Sequence, residues 1–521
     1  MNERIGFAPT TTTMILRALS RFPEREAFVW SGGSLSYSAV RALIAGLQSG
    51  MVQAGLRKGD VVALLSANSA ETWCAGVAAQ ALGLLITWLH PLGSLADHVA
   101  VIEDIEATAL IVDPKTHGQR GAELANRATA QLKVAFTMGQ TEFGRDLLAI
   151  ALAAGAVPLV DLTSIDERAI VNYTGGTTGQ SKGAVRRHRA LVASAQSVAA
   201  EFGLPDTPRY LAAAPITHVS GSFVLPSLMR GGTVHLLKGF DPEEFLATIA
   251  RERINVTMMV PTMIYVMLDN PRLDDTDLSS LELLLYGASP MSPTRLVEGL
   301  ERIGPIFGQL YGQTECYPIS LLGRADHDAR RPELFASCGF PLASCAVALL
   351  DENNEPVRQG EAGEICVRAA QAMDGYWKRP EQTAETFAGG WLHTGDIAKA
   401  DERGYLYIVD RKKDMIVSGG FNIFPREVED VLTQHADVAM CAVVGIPDDK
   451  WGEAVTAVVV AREGAMPNAD ELINMVKARK GSAHAPKQIQ FVKELPMTGV
   501  GKVDKKVLRA RFWEGRERMV G

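Results

Sequence analysis

Up to about residue 410 the chain alternates short apolar runs with helical stretches, and this alternation limits the fold more than any other feature. Residues 61–65, 110–112, 169–173, 233–237, 256–260 and 283–286 read as buried strands, and 243–253 and 292–302 carry helical periodicity. Alternation of this kind builds sheets covered by helices, an α/β architecture. From about residue 345 the strands shorten and turns separate them (346–351, 364–367, 404–409), so a small β-rich section closes a large body spanning 1–410. Residues 411–414, Arg-Lys-Lys-Asp, have no apolar periodicity and read as a hinge. Residues 415–521 read as a compact α+β domain. It has a helix at 426–434, strands near 438–444 and 454–460, a helix at 469–480, a strand at 489–492 and a last helix from 504. Asn468 or Asp470 is the expected N-cap of the middle helix.

Composition narrows the function classes. Apolar residues make up 47% and charged residues 21% of the 521, as in an ordinary globular protein. A net charge of −8 argues against general nucleic-acid binding. From Arg411 onward there are 18 Lys/Arg against 15 Asp/Glu, so a mildly basic tail follows an acidic body. Residues 72–96 carry no formal charge, but Gln80, His90, Pro91 and three glycines interrupt them. A buried helix (73–82) followed by a buried strand (84–89) fits better than a membrane span, and no stable membrane insertion is expected. No signal segment is evident, and the six cysteines form no CxxC pair or metal-ligand spacing. Buried or free thiols in a reducing compartment, the cytoplasm, are the expectation.

Four segments carry chemistry. The first runs from the strand at 169–173 into Thr174-Gly175-Gly176-Thr177-Thr178-Gly179-Gln-Ser-Lys182-Gly183. Its glycines let backbone N–H groups approach an anion, its threonines add donors and Lys182 adds charge, which is chemistry for holding phosphate. It is not a Walker A loop, because serine precedes Lys182 and glycine follows it. The second is Tyr311-Gly312-Gln313-Thr314-Glu315. Glu315 can hold Mg²⁺, which prefers oxygen ligands, and Thr314 can donate to a phosphate. Third come Asp396 and Arg411, a carboxylate and a guanidinium able to grip a ribose diol or simply to pair with each other. The fourth is Lys502 in a glycine-rich loop just before the last helix, where a lysine can bring charge to a reacting centre and withdraw it.

Together these segments resemble the adenylate-forming superfamily of acyl-CoA synthetases, peptide-synthetase adenylation domains and beetle luciferases. The match spans nearly the whole chain, with the motifs in the family's order. The Ser418-Gly419-Gly420-Phe421 stretch and its continuation to Glu429 look most like stand-alone CoA ligases. The resemblance implies an ATP-dependent acyl-CoA synthetase, with ATP, Mg²⁺ and coenzyme A as cofactor and co-substrates. It implies that residues 174–182 cover the ATP phosphates, that Gly287, Ala288 and Ser289 line the adenine, and that Tyr311 stacks on it. It implies that Thr314 and Glu315 contact phosphate and Mg²⁺, with Gly312 and Gln313 beside them. By the same resemblance Asp396 and Arg411 bind the ribose, and Lys502 bridges carboxylate and α-phosphate. Lys413 falls at the hinge, and Ser418, Gly419, Gly420 and Phe421 at the thiol tunnel. His218, Val219, Val260, Gly287, Gly312 and Ile319 fall at the acyl pocket, which carries no lysine or arginine, so an uncharged aryl, alkyl or cyclic acid is expected. Gly175 and Ser181 stand where the family more often has serine and proline. A carrier protein is the alternative thiol, and a homodimer is open at the family level.

Overall fold

The computed structural model describes residues 8–127, 131–174, 181–418, 421–448, 451–497 and 503–510. The chain divides into two compact units. Among the described residues, the first takes in those of 8–174, 181–346 and 368–385, and the second those of 347–367 and 386–510.

The first unit holds two large sheets. In one, Phe307–Tyr311, Leu283–Gly287, Val256–Met259, Arg209–Ala212, Thr233–Leu236 and Glu26–Trp30 lie side by side and parallel. The centre of the other is Arg168–Tyr173, Leu85–Trp88, Val61–Leu65, Ala109–Val112 and Val134–Thr137, also parallel. Every residue of Val61–Leu65, Ala109–Val112, Val256–Met259 and Leu283–Gly287 is buried, as parallel strands covered on both faces require. Phe245, Ile249, Met259, Leu284, Tyr286 and Phe307 are fully buried in one core. Each such side chain contributes about 1.5–3 kcal/mol of transfer free energy. Asn68 ties the two sheets where their strands end. Its amide donates to the carbonyls of Ala212 (3.1 Å), Ala214 (3.1 Å) and Leu237 (2.9 Å) and accepts from the Ile216 N–H (2.8 Å).

The second unit draws on two further sheets: the strands Gly363–Ala369, Leu392–Ala400 and Leu406–Arg411 belong to one, and Val438–Asp448 and Gly452–Ala461 form the centre of the other. The helices Pro425–Leu432 and Ala469–Lys480 pack on that sheet through Val428, Leu432, Leu472 and Val476. Asn468 caps the second helix, its side chain accepting from the N–H groups of Asp470 (2.8 Å) and Glu471 (3.2 Å).

Several element ends differ from the sequence reading, and two of the differences have a clear physical cause. The helix expected at 243–253 is Pro242–Glu252: Asp241 caps it from the Glu244 N–H (2.9 Å), and Arg253 leaves it in the left-handed conformation at φ 46°. The strand expected to stop near 444 runs to Asp448. Gly445-Ile-Pro-Asp reads locally as a stop, but its partner strand continues the antiparallel ladder from Val455 to Gly452 and overrides it. The uncharged stretch 72–96 lies across the buried helix Ala70–Ala81 and the strand Leu85–Trp88. Among the described residues no helix is long and apolar enough to cross a membrane.

Candidate active site

In the first unit the expected nucleotide residues gather at the carboxyl ends of adjacent parallel strands, where open α/β sheets collect ligands. Gly287 ends one strand and Tyr311 ends its neighbour, with Gly287 opposite Leu310. Val260 follows the next strand over. A side chain at Gly287 would collide with the Leu310 carbonyl, so only glycine allows this pairing. Ala288 then turns at φ 66°, an uncommon value for a residue with a Cβ, and directs the chain outward from the strand edge.

After Tyr311 the chain makes a tight turn closed by reciprocal backbone bonds between Gln313 and Cys316 (2.9 and 3.2 Å). Three contacts fix its tip. The Glu315 carbonyl accepts from the Met373 N–H (2.7 Å), and its Oε1 accepts from the Tyr376 hydroxyl (2.7 Å). The Thr314 carbonyl accepts from Arg186 Nη2 (2.8 Å). Lys182 Nζ lies 5.2 Å from the centre of the Tyr376 ring. Tyr376 therefore has the Lys182 ammonium over its ring and the Glu315 carboxylate on its hydroxyl. The turn offers oxygen donors, the set a hard divalent cation prefers. The loop expected to hold phosphate leaves its strand at Thr174, whose N–H donates to the Lys182 carbonyl (2.9 Å). Gly175, Gly176, Thr177, Thr178 and Gly179 lie outside the described residues.

The expected acyl residues sit in the same unit. His218 stands edge-on to His90, ring centres 4.4 Å apart, and its Nδ1 is 2.8 Å from the Thr217 hydroxyl. Solvent reaches the His218 side chain, yet protein crowds it enough to lower its pKa, with His90 acting in the same direction. Burial lowers the pKa of His90 as well. Val219 and Val260 are half-buried, and Ile319 is fully buried with its N–H on the Tyr311 carbonyl (2.9 Å). Ser222 donates to the Val219 carbonyl (2.6 Å), with the Tyr317 hydroxyl 3.1 Å away.

The second unit carries the expected ribose pair. Asp396 and Arg411 face each other across two antiparallel strands, with Arg411 Nε 2.7 Å from Asp396 Oδ1. The strand residues just before Asp396 are held in place by side-chain and backbone hydrogen bonds. The Gly395 N–H donates to Glu364 Oε1 (2.8 Å), and Thr394 donates to the Ile365 carbonyl (2.7 Å). Glu364 Oε2 holds His393 Nδ1 (3.1 Å) and Lys412 Nζ (3.2 Å). Burial works to raise the Glu364 pKa, and these partners outweigh it and hold it below the usual value. Glu364, Cys366 and His393 place ligand-type atoms within 4.8 Å of one another, but both Glu364 oxygens are already engaged. Lys413 belongs to a one-turn helix, Lys412–Asp414. Ser418 is buried and pairs across a hairpin with Phe421, which is exposed. Gly419, Gly420 and Lys502 lie outside the described residues.

The family pattern described as AMP-binding enzyme matches residues 15–377, and its C-terminal domain pattern matches 427–502. The chain belongs to the AMP-binding enzyme family. Within that family it lies in the acyl-CoA synthetase branch. It is 46% identical over 481 residues to the medium/long-chain-fatty-acid–CoA ligase FadD8 of Mycobacterium tuberculosis, covering 90% of this chain and 84% of that protein. To the feruloyl-CoA synthase of Amycolatopsis sp it is 38% identical over 517 residues, covering 98% and 99%. Among solved structures, the amide bond synthetase McbA from Marinactinospora thermotolerans superposes with a TM-score of 0.89 at 34% identity, covering 96% of this chain and 99% of that one. As in any AMP-binding enzyme of this branch, ATP and CoA are the co-substrates. Sequence reading missed Tyr376, His90 and Arg186. Tyr376 and His90 carry no local motif. Arg186 had a signal, a cation directly after the apolar residues Ala184 and Val185 of the strand Gly183–Arg187.

Proposed function

We propose that this AMP-binding enzyme activates an uncharged apolar carboxylic acid (aryl, alkyl or cyclic) as its acyl-adenylate and then forms the acyl-CoA thioester. In the first step a carboxylate oxygen attacks the α-phosphorus of ATP, and the bond to pyrophosphate breaks. In the second the CoA sulfur attacks the acyl carbon, and AMP leaves. The observation that carries the reading is the Tyr376 ring, with Lys182 over its face and Glu315 on its hydroxyl, beside the strand end that carries Tyr311.

In this reading Lys182 and the loop from Thr174 to Gly179 hold the outer phosphates, Thr314 donates to phosphate, and Lys502 bridges the carboxylate and the α-phosphate. Gly287, Ala288, Ser289 and Tyr311 receive the adenine, while Asp396 and Arg411 receive the ribose. A magnesium ion carried in with ATP would take Glu315 as its oxygen ligand and would supply neutralising charge at the phosphates. Positive and donor groups preorganised around the reacting phosphorus lower the barrier by electrostatics and alignment. Residues 411–414 act as the hinge, and Ser418, Gly419, Gly420 and Phe421 border the CoA thiol. Val219, Val260 and Ile319 give the acyl pocket an apolar lining, and His218 closes it as a neutral ring. The absence of any disulfide among the six cysteines supports a reducing, cytoplasmic setting.

The likeness to an amide bond synthetase makes an amine the rival acceptor. The test is exchange of labelled pyrophosphate into ATP over a panel of aryl, medium-chain, long-chain and polycyclic acids. Mass detection of the product with CoA, or with an amine in its place, then follows. Exchange with at least one apolar acid and a CoA thioester are expected. No exchange with any acid would end the reading, and an amide formed in preference to the thioester would move the chain to the rival.

A further inference from the structure

Arg186 is a buried cation that forms no ion pair with a carboxylate among the described residues. It lies in the strand Gly183–Arg187, four residues after Lys182, and is 8% exposed. Its neighbours in sequence behave as surface arginines do: Arg187 pairs with Asp374 at 3.0 Å and Arg189 with the same carboxylate at 2.5 Å. Arg186 pairs with no carboxylate among the described residues. Its Nη2 donates to the Thr314 carbonyl at 2.8 Å, and its buried Nε has no hydrogen-bond partner among the described residues. Burial works to lower its pKa and the Glu315, Cys316 and Tyr317 groups work to raise it, but a guanidinium stays charged throughout. A buried charge with one neutral partner and an idle donor is costly. A leucine or methionine would fill the strand position at no electrostatic cost. The cost has a counterpart only if an anion arrives nearby, and the segments flanking Arg186 are the two assigned above to the triphosphate.

We propose that Arg186 is a positioning residue for ATP: it pins the Thr314 carbonyl, so setting the Thr314–Glu315 turn, and it holds a buried positive charge that the triphosphate balances. This rests on the assignment of Thr314 and Glu315 to the phosphate end of the nucleotide. It differs from that assignment because Arg186 acts through the turn and through its field, from inside the sheet.

The experiment uses the full chain and pyrophosphate–ATP exchange, with KM measured separately for ATP and for the acid. Arg186→Met removes both the donor and the charge. Its KM for ATP should rise about tenfold or more, the worth of one charge-assisted hydrogen bond, while KM for the acid stays put. Arg186→Lys keeps the charge but loses the fork, and its KM for ATP should fall between those of the wild type and Arg186→Met. A purely structural arginine would lower the melting temperature and leave that split unmoved. An unchanged KM for ATP in Arg186→Met overturns the proposal, and so does a parallel rise in both KM values. Should Arg186→Met fail to fold, Arg186→Gln, which keeps a donor for Thr314 and drops the charge, decides by the same split. Glu315→Gln is run alongside. If it too exchanges like the wild type, the assignment of the turn fails; if it alone is impaired, only the role of Arg186 fails.

Discussion

Tyr376 is the residue whose loss separates chemistry from folding most cleanly. It is half-buried, and its hydroxyl donates to Glu315 Oε1 at 2.7 Å. Tyr376→Phe keeps the ring under Lys182 and removes that donor. A hydrogen bond to a charged group is worth about 1.5–3 kcal/mol, so kcat/KM for pyrophosphate exchange should fall by at least about tenfold. The melting temperature should stay within a few degrees. Undiminished exchange would show that Glu315 needs no such support. Lys502→Ala should cut adenylate formation more, by about a hundredfold, as expected for one preorganised charge donor. Unchanged pyrophosphate release in that variant would remove Lys502 from the reaction. These two residues also mark what was legible. Lys502, Lys182, Thr314 and Glu315 stand in short motifs whose residue types announce phosphate chemistry. Tyr376 is 61 positions from Glu315 in sequence and Arg186 is 128 from Thr314, so only the folded sheets show either contact.

At the scale of elements, local signals were read well and non-local ones poorly. The Asn468 cap and the wholly apolar strands could be read because a few neighbouring residues determine them. The strand that runs on to Asp448 could not, since its last residues owe their conformation to a partner strand rather than to their own propensity. In the segment 411–414, Arg411 ends one strand and Lys412–Asp414 form a one-turn helix before the next. Lys412 reaches Glu364 at 3.2 Å and Asp414 pairs with Arg509 at 2.8 Å. A hinge residue must be free to change φ and ψ. Proline fixes φ and disfavours helical geometry in the residue before it. Lys413→Pro should therefore spare pyrophosphate exchange and depress thioester formation, measured as separate half-reactions on one preparation. Equal loss of both would place the hinge elsewhere.

For the whole molecule, the clearest consequence of the packing is sensitivity to acid. His188, His235 and His327 are buried at 1–2% exposure, and burial pushes each pKa down to about 4. His235 is the starkest, since neither ring nitrogen has a hydrogen-bond partner among the described residues. Glu252, 3.9 Å away, works to raise its pKa while Arg209 and Arg251 work to lower it. In the unfolded chain a histidine titrates near 6.5. Below that value the unfolded state binds protons that the native state cannot, so these groups favour folding above about pH 6.5 and lose that contribution as pH falls towards 4. Each unit of displacement corresponds to about 1.4 kcal/mol, so the three together can remove several kcal/mol. Asp410 works the other way: burial raises its pKa to about 6, so its contribution is present below about pH 4 and fades as pH rises through 6. Burial raises the pKa of Asp430 as well, but it lowers those of His90, His98 and His218 along with these three histidines, so the sum stays on the side of acid lability. Calorimetry should find a lower melting temperature at pH 5 than at pH 7, and His235→Leu, which removes a group that cannot be charged in place, should shrink the gap. A wild-type melting temperature that holds or rises on going to pH 5 would mean that these rings gain protons without opening the core.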